Sequence, residues 1–214
     1  MWALVDDADN VTEIIAHPKS LIIDDIRHPK KIFSAWTDAE KRAIGLYEVT
    51  PASRFDENYY INSNASYAKV GTKVVETITK VADKALADVN EVDENGDPLL
   101  DDDGVQVVTL GLKSNAKNKA TTSANGYLQG FEWLIARKVT ANTAIPSAVT
   151  TYMAAIRTDH GNICTALDAA SDMAAFIALH TTTYNEDEDG NITVNVIAKT
   201  QSWTSDANVK AYRR

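Results

Sequence analysis

Between Pro146 and Leu167 apolar side chains recur at Val149, Met153, Ile156, Ile163 and Leu167, with His160 in the same file. A three-or-four-residue rhythm of this kind predicts an α-helix with one buried face. Pro146 suits its first turn, where the missing N–H has no partner to lose. Ser171 reads as the cap of a second short helix carrying Met173, Phe176 and Ile177, so a helical hairpin is expected. Upstream, Phe131-Glu132-Trp133-Leu134-Ile135-Ala136-Arg137-Lys138 forms another mixed apolar block. Leu112 to Tyr127 reads as a helix through Ala116, Ala120, Ala124 and Leu128, with Gly126 and Gly130 fraying its end.

The first third follows a shorter period. Trp2–Val5 and Val11–Ile15 flank the turn cluster Asp6 to Asn10 and predict an opening β-hairpin. Leu21–Ile23, Tyr47–Thr50, Tyr59–Asn62, Tyr67–Val70 and Lys73–Lys80 are further strand candidates. They suggest a small antiparallel meander with one buried face. Thr37-Asp38-Ala39-Glu40 has capping-box spacing, and Gly45 supplies a stop, so a short helix from Asp38 to Ile44 is expected. Asn95-Gly96 and Asp103-Gly104 mark an acidic hairpin or linker. Thr181–Tyr184 and Ile192–Ile197 form a second hairpin around the acidic loop Asn185 to Asn191. The tail Trp203–Arg214 has no clear period, and no internal repeat is evident. The fold class read from these patterns is α+β: an N-terminal β-domain (1–80), an acidic hairpin or linker (81–110), and a helical region with a C-terminal hairpin (111–214).

A chain of 214 residues with 44% hydrophobic content can bury a core of its own. The net charge of −9 repels phosphate backbones, so neither nucleic acid nor an anionic membrane surface is the expected partner. No apolar run approaches the length of a bilayer span, and the opening Met1-Trp2-Ala3-Leu4-Val5 lacks a basic region followed by an apolar core. The lone Cys164 allows no intrachain disulfide and fits folding in a reducing cytoplasm.

Few constellations carry chemistry. Asn185, Asp187 and Asp189, with Gly190 in sixth place, match the opening half of a calcium loop, but Val196 stands where the closing bidentate glutamate belongs. Weak calcium binding and a plain acidic turn both fit. Asp93 to Gly104 matches less well, with Pro98 in sixth place. His160 and Cys164, four apart on a helix, could form a metal or thiol–base pair, or simply pack. His17 and His28, each before a proline, suit turns better than metal. Trp36, Tyr47, Tyr59, Tyr60 and Tyr67 could stack on a sugar or form the core of a β-domain. No Gly-rich phosphate loop, nucleophile elbow or zinc-type cysteine pattern is present, and no enzyme is expected. The many alanines between Ala148 and Ala178 permit close helix approach, within the chain or between subunits.

Met1-Trp2-Ala3-Leu4-Val5 with Val11-Thr12, Ile32 to Thr37, Ala43 to Tyr47, Leu112-Lys113, Phe131 to Lys138, Ile145-Pro146, Val149, Tyr152 and Ile156-Arg157 form a recognisable set. With them the chain resembles a family of uncharacterised tail-associated proteins of tailed, particularly marine, bacteriophages. The segment near 90 to 107 and the residues after 180 lie outside the resemblance. It departs from the pattern at Met153, where the family has arginine, and at Phe131-Glu132-Trp133, where it has Thr-Asp-Trp. The resemblance implies a non-enzymatic component of the tail tip, baseplate or fibre attachment, located in the virion and made in the bacterial host cytoplasm. Its partners would be other tail proteins and further copies of itself in a symmetric assembly. Part of the pattern is also similar to tail-fibre assembly chaperones, and a receptor-binding module with a weak calcium or sugar site is a third reading. Tyr152, Ile156, Phe176, Tyr212 and Arg213 are the candidate interface residues. No catalytic residue is carried over.

Overall fold

The computed structural model describes residues 1–214, which form two compact units, Met1–Asp83 and Lys84–Arg214. Helices and mostly antiparallel strands mix in an α+β fold. The first unit opens with the hairpin of β1 (Trp2–Val5) and β2 (Val11–Ile15), Trp2 standing opposite Ile15 and a bulge following Leu4. β3 (Leu21–Ile23) pairs with β4 (Ile26–His28), a strand the sequence reading missed. Asp24 and Asp25 join them with φ of 49° and 62°, the left-handed pair that a primed hairpin turn requires. A short α1 (Ile32–Ala35) leads to α2 (Asp38–Ala43), whose capping box is complete: Glu40 N–H donates to Thr37 Oγ1 at 3.3 Å, and Thr37 N–H donates to Glu40 Oε2 at 2.7 Å. Gly45 follows at φ +74°. A Cβ there would stand 2.6 Å from the Val5 carbonyl oxygen, so only glycine lets the chain turn this close to β1.

β5 (Leu46–Thr50) then lies beside β1, after which come β6 (Tyr60–Asn62), β7 (Ser66–Val70), β8 (Lys73–Thr77) and β9 (Lys80–Asp83). The main sheet has the order β2-β1-β5-β8-β7, and β5 runs parallel to β8, so it is not a meander. The chain between them leaves the sheet to build β6, which pairs with β9 in a separate ribbon. The run expected as one strand over Lys73–Lys80 therefore breaks at Ile78-Thr79, where Thr79 exchanges bonds with Ser63. The expected single buried face is corrected too. Leu4, Ile15 and Leu46 pack with Ile32 and Phe33 on one side, while Ala3, Val5, Val49 and Val74 are buried under Ile14, Tyr47 and Tyr67 on the other. Lys41, 6% exposed, lays its ammonium 4.3 Å from the Trp2 ring centre and 3.0 Å from Asp38.

The second unit is built on α3 (Leu112–Gln129), α4 (Glu132–Ala141), α5 (Ser147–Ala169) and α6 (Met173–His180). Before them β10 (Val89–Asn90) pairs with β11 (Val108–Thr109), and after them β12 (Thr183–Glu186) pairs with β13 (Ile192–Val196). Ala116, Ala120 and Ala124 are buried on α3, which packs along α5. Small side chains at every fourth position let the two backbones approach closely. The core collects Phe131, Leu134, Val149, Tyr152, Met153, Ile156 and Val209. The cap of α6 is Asp172, one residue later than read from sequence: its carboxylate accepts from Ala175 N–H at 2.8 Å, and Ser171 donates to Asp172.

The end of α3 does not fray at Gly126. The residues 198–214 fold back onto it. Arg213 donates to the Gly126 carbonyl at 3.1 Å, and Arg214 N–H donates to the Gly130 carbonyl at 3.1 Å. A Cβ on Gly130 would meet Arg213 Cγ at 2.5 Å, so the glycine opens room for this strap instead of ending the helix early. Trp203 stacks near Tyr127 at 5.3 Å, Val209 is buried, and Trp133 Nε1 donates to the Tyr212 carbonyl. No helix is long and apolar enough to cross a membrane.

Candidate functional site

The acidic loops share one geometry. In each, an aspartate carboxylate accepts the backbone N–H groups two and four residues ahead: Asp6 from Ala8 and Asn10, Asp93 from Asn95 and Asp97, Asp101 from Asp103 and Val105, Asp187 from Asp189 and Asn191. The residue three ahead takes positive φ each time, as Asp9, Gly96, Gly104 and Gly190. Four-fold recurrence of Asp-x-x-(Gly or Asp) is a turn device. It was visible in the sequence as a recurring spacing and was missed there. Accepting backbone and side-chain donors holds the Asp6, Asp93 and Asp187 carboxyls below the usual carboxylate range: backbone donation from Asn10 leads for Asp6 and from Asp97 for Asp93, the Asn191 side chain for Asp187.

This bears on the calcium candidate. Asn185 lies in β12 opposite Thr193, and both Asp187 oxygens already accept, Oδ1 from Asp189 and Asn191 N–H and Oδ2 from the Asn191 amide at 3.0 Å. Asp189 is exposed and reaches the turn through its backbone. No three His, Cys, Asp or Glu side chains come together anywhere in the chain.

Residues 89–109 fold as a compact arm of three segments in a closed ring. Glu91 N–H donates to Val107 O, Val107 N–H to Leu99 O, and Leu99 N–H to Glu91 O. The Gln106 side-chain amide sits at the centre, within 2.7, 3.0 and 3.1 Å of the carbonyls of Glu91, Val107 and Leu99. The ring members are spaced eight residues apart, a local repeat with an Asp turn at two corners. Asp88 anchors the arm by accepting from Gly111 N–H at 2.8 Å and Ser114 Oγ at 2.9 Å at the start of α3. These bonds, the Gly111 one first, also depress its carboxyl.

At the opposite end of α3 two adjoining grooves of 720 and 580 Å³ share Gly126, Gln129 and Glu132. Arg157, Leu128, Ile135 and Met153 line one, and Trp133, Arg213 and Arg214 the other. The Arg214 guanidinium lies 4.0 Å from the Trp133 ring centre and that of Arg137 5.4 Å from it. Arg213 pairs with Asp206 at 3.2 Å, whereas Arg157, Arg137 and Arg214 pair with no carboxylate.

The remaining candidates resolve into separate places. His160 Nε2 is 3.5 Å from Cys164 Sγ and 3.0 Å from Thr121 Oγ1, on the line where α5 meets α3. Lys117 pairs with Asp168 at 2.8 Å beside them. Burial pushes the Cys164 thiol up, the opposite direction from that of an activated thiolate. Together these groups form a polar seam between helices. His28 packs edge-on against Trp36 at 5.6 Å, and His17 is exposed in a bend. The aromatic set does not form one platform: Trp36 joins the helix-side core of the sheet, Tyr47 and Tyr67 cover its other face, and Tyr59 and Tyr60 lie on the β6 ribbon with Phe55. Lys69 and Lys80 rest over the rings of Tyr47 and Tyr60.

Of the candidate interface residues, Tyr152, Ile156 and Phe176 are buried in this chain's own core, Tyr152 against Phe131 at 5.5 Å. Arg213 is engaged with Gly126 and Asp206. Tyr212 is partly exposed. Buried side chains have no area to offer a partner in this fold; the exposed apolar and charged surface lies on the arms and along the arginine-lined groove. Comparison with protein-family models, with curated proteins and with solved structures returned no match.

Proposed function

We propose that the chain is a structural component of a bacteriophage tail, acting by protein–protein assembly at the tail tip, baseplate or fibre attachment. The observation that carries this reading is the β12–β13 hairpin. Every residue of it is exposed, and Tyr184, Ile192, Val194 and Val196 remain 60, 69, 55 and 57% open. A lone two-stranded hairpin is marginal in water, and apolar residues on it gain stability only when another surface covers them. The resemblance of the helical and N-terminal blocks to tail-associated proteins supplies the setting.

Mass spectrometry of purified particles of the encoding phage tests the reading. The chain is expected among the virion proteins at a fixed copy number. Its absence from finished particles overturns the structural role, and abundance confined to the lysate assigns it to fibre assembly instead.

A further inference from the structure

Charge in the second unit is segregated. Residues 85–110 hold eight acidic residues and no basic one, and 186–189 hold four acidic residues, whereas the rest of the unit has eleven basic and five acidic residues. The acidic arm springs from the N-terminal end of α3, tied there by Asp88. The arginine-lined groove lies at the other end. An 18-residue helix separates them by about 27 Å.

We infer that the arm of one copy docks in the groove of a second copy, head to tail. Asp93 and Asp101 are committed to their turns, which leaves Glu94, Asp97, Asp102 and Asp103 as the exposed acids, of which Glu94, Asp102 and Asp103 are reversed below. Leu99 and Leu100 are exposed beside them. The groove offers matching chemistry: Arg157 and Arg214 without carboxylate partners, and the apolar surfaces of Ile135 and Trp133. Arm and groove occupy different surfaces of one chain, so the contact is heterologous and repeats from copy to copy, closing into a ring or running on. This names the partner within the assembly proposed above and rests on that reading for its biological setting; the contact itself is testable on the purified chain.

Sedimentation velocity of the full chain at 50 and 500 mM salt, in the micromolar range, tests it. Species larger than the monomer are expected at low salt and are expected to recede at high salt, because the attraction is screened. Reversing the arm (E94K, D102K, D103K) or the groove (R157E, R214E) should give monomers. Mixing the two variants should restore the larger species, because each then meets an opposite charge. Reversing Glu186, Glu188 and Asp189 to Lys makes the same charge change as the arm variant elsewhere and should leave association intact. None of these side chains is in the core, and circular dichroism identifies any variant that fails to fold. A wild-type chain that stays monomeric at low salt overturns the inference, as does association that the arm variant leaves unchanged or a mixture that stays monomeric. None of those results would bear on whether the chain is present in virions.

Discussion

At the scale of single residues, the acidic turns show how one side chain can decide between a metal ligand and a structural one. A carboxylate that accepts two backbone N–H groups of its own loop closes the turn without a cation. Asp187→Asn keeps an acceptor oxygen and should leave the β12–β13 amides as protected as before, whereas Asp187→Ala should open the loop, read by hydrogen exchange at Asp189 and Asn191. The sign with pH follows from the depressed carboxyls of Asp6, Asp93 and Asp187: their stabilisation is complete above the ordinary aspartate range near ~4 and is lost as pH falls through the lower folded-state values. Acid titration should therefore loosen these turns below about pH 4. Millimolar calcium should leave the melting temperature unchanged; a stabilising shift would show that the loop recruits the ion after all.

At the scale of elements, strong local signals translated directly into structure. The Thr37 box and the helix beginning after Pro146 needed only neighbouring residues, so their chemistry was legible in sequence. What the sequence did not reveal depended on distant partners. α3 outlasts Gly126 because Arg213 and Arg214 return to its end, and β5 finds β8 in parallel only after an excursion through the β6–β9 ribbon. Tyr152, Ile156 and Phe176 mark no surface for a related reason: Phe176 is buried, and the folded-back tail with Val209 helps to complete the core that takes in Tyr152 and Ile156. The groove was invisible because its arginines come from α5 and from the tail, far apart in sequence. Ile156 has no exposed surface and sits among Phe131, Leu134 and Val149. Ile156→Ala should cost about 2–5 kcal/mol, measured by denaturant unfolding of the second unit. A loss under about 1 kcal/mol would mean that this core is far looser than its packing indicates.

At the scale of the molecule, two units each hold a private core, and the second extends two arms whose apolar residues nothing in the chain covers. The many acidic residues of the arms keep such surfaces hydrated, and the assembly proposed above would cover them. The ring of bonds around Gln106 gives the first arm a shape of its own, so docking it would require little ordering. Hydrogen exchange of residues 89–109 and 183–196, compared between the isolated chain and intact particles, tests most directly whether the arms are built to be covered. Exchange at β12–β13 should be faster in the free chain than in its helices and slowed many-fold in the particle at both arms. Equal rates in the two states would contradict the account.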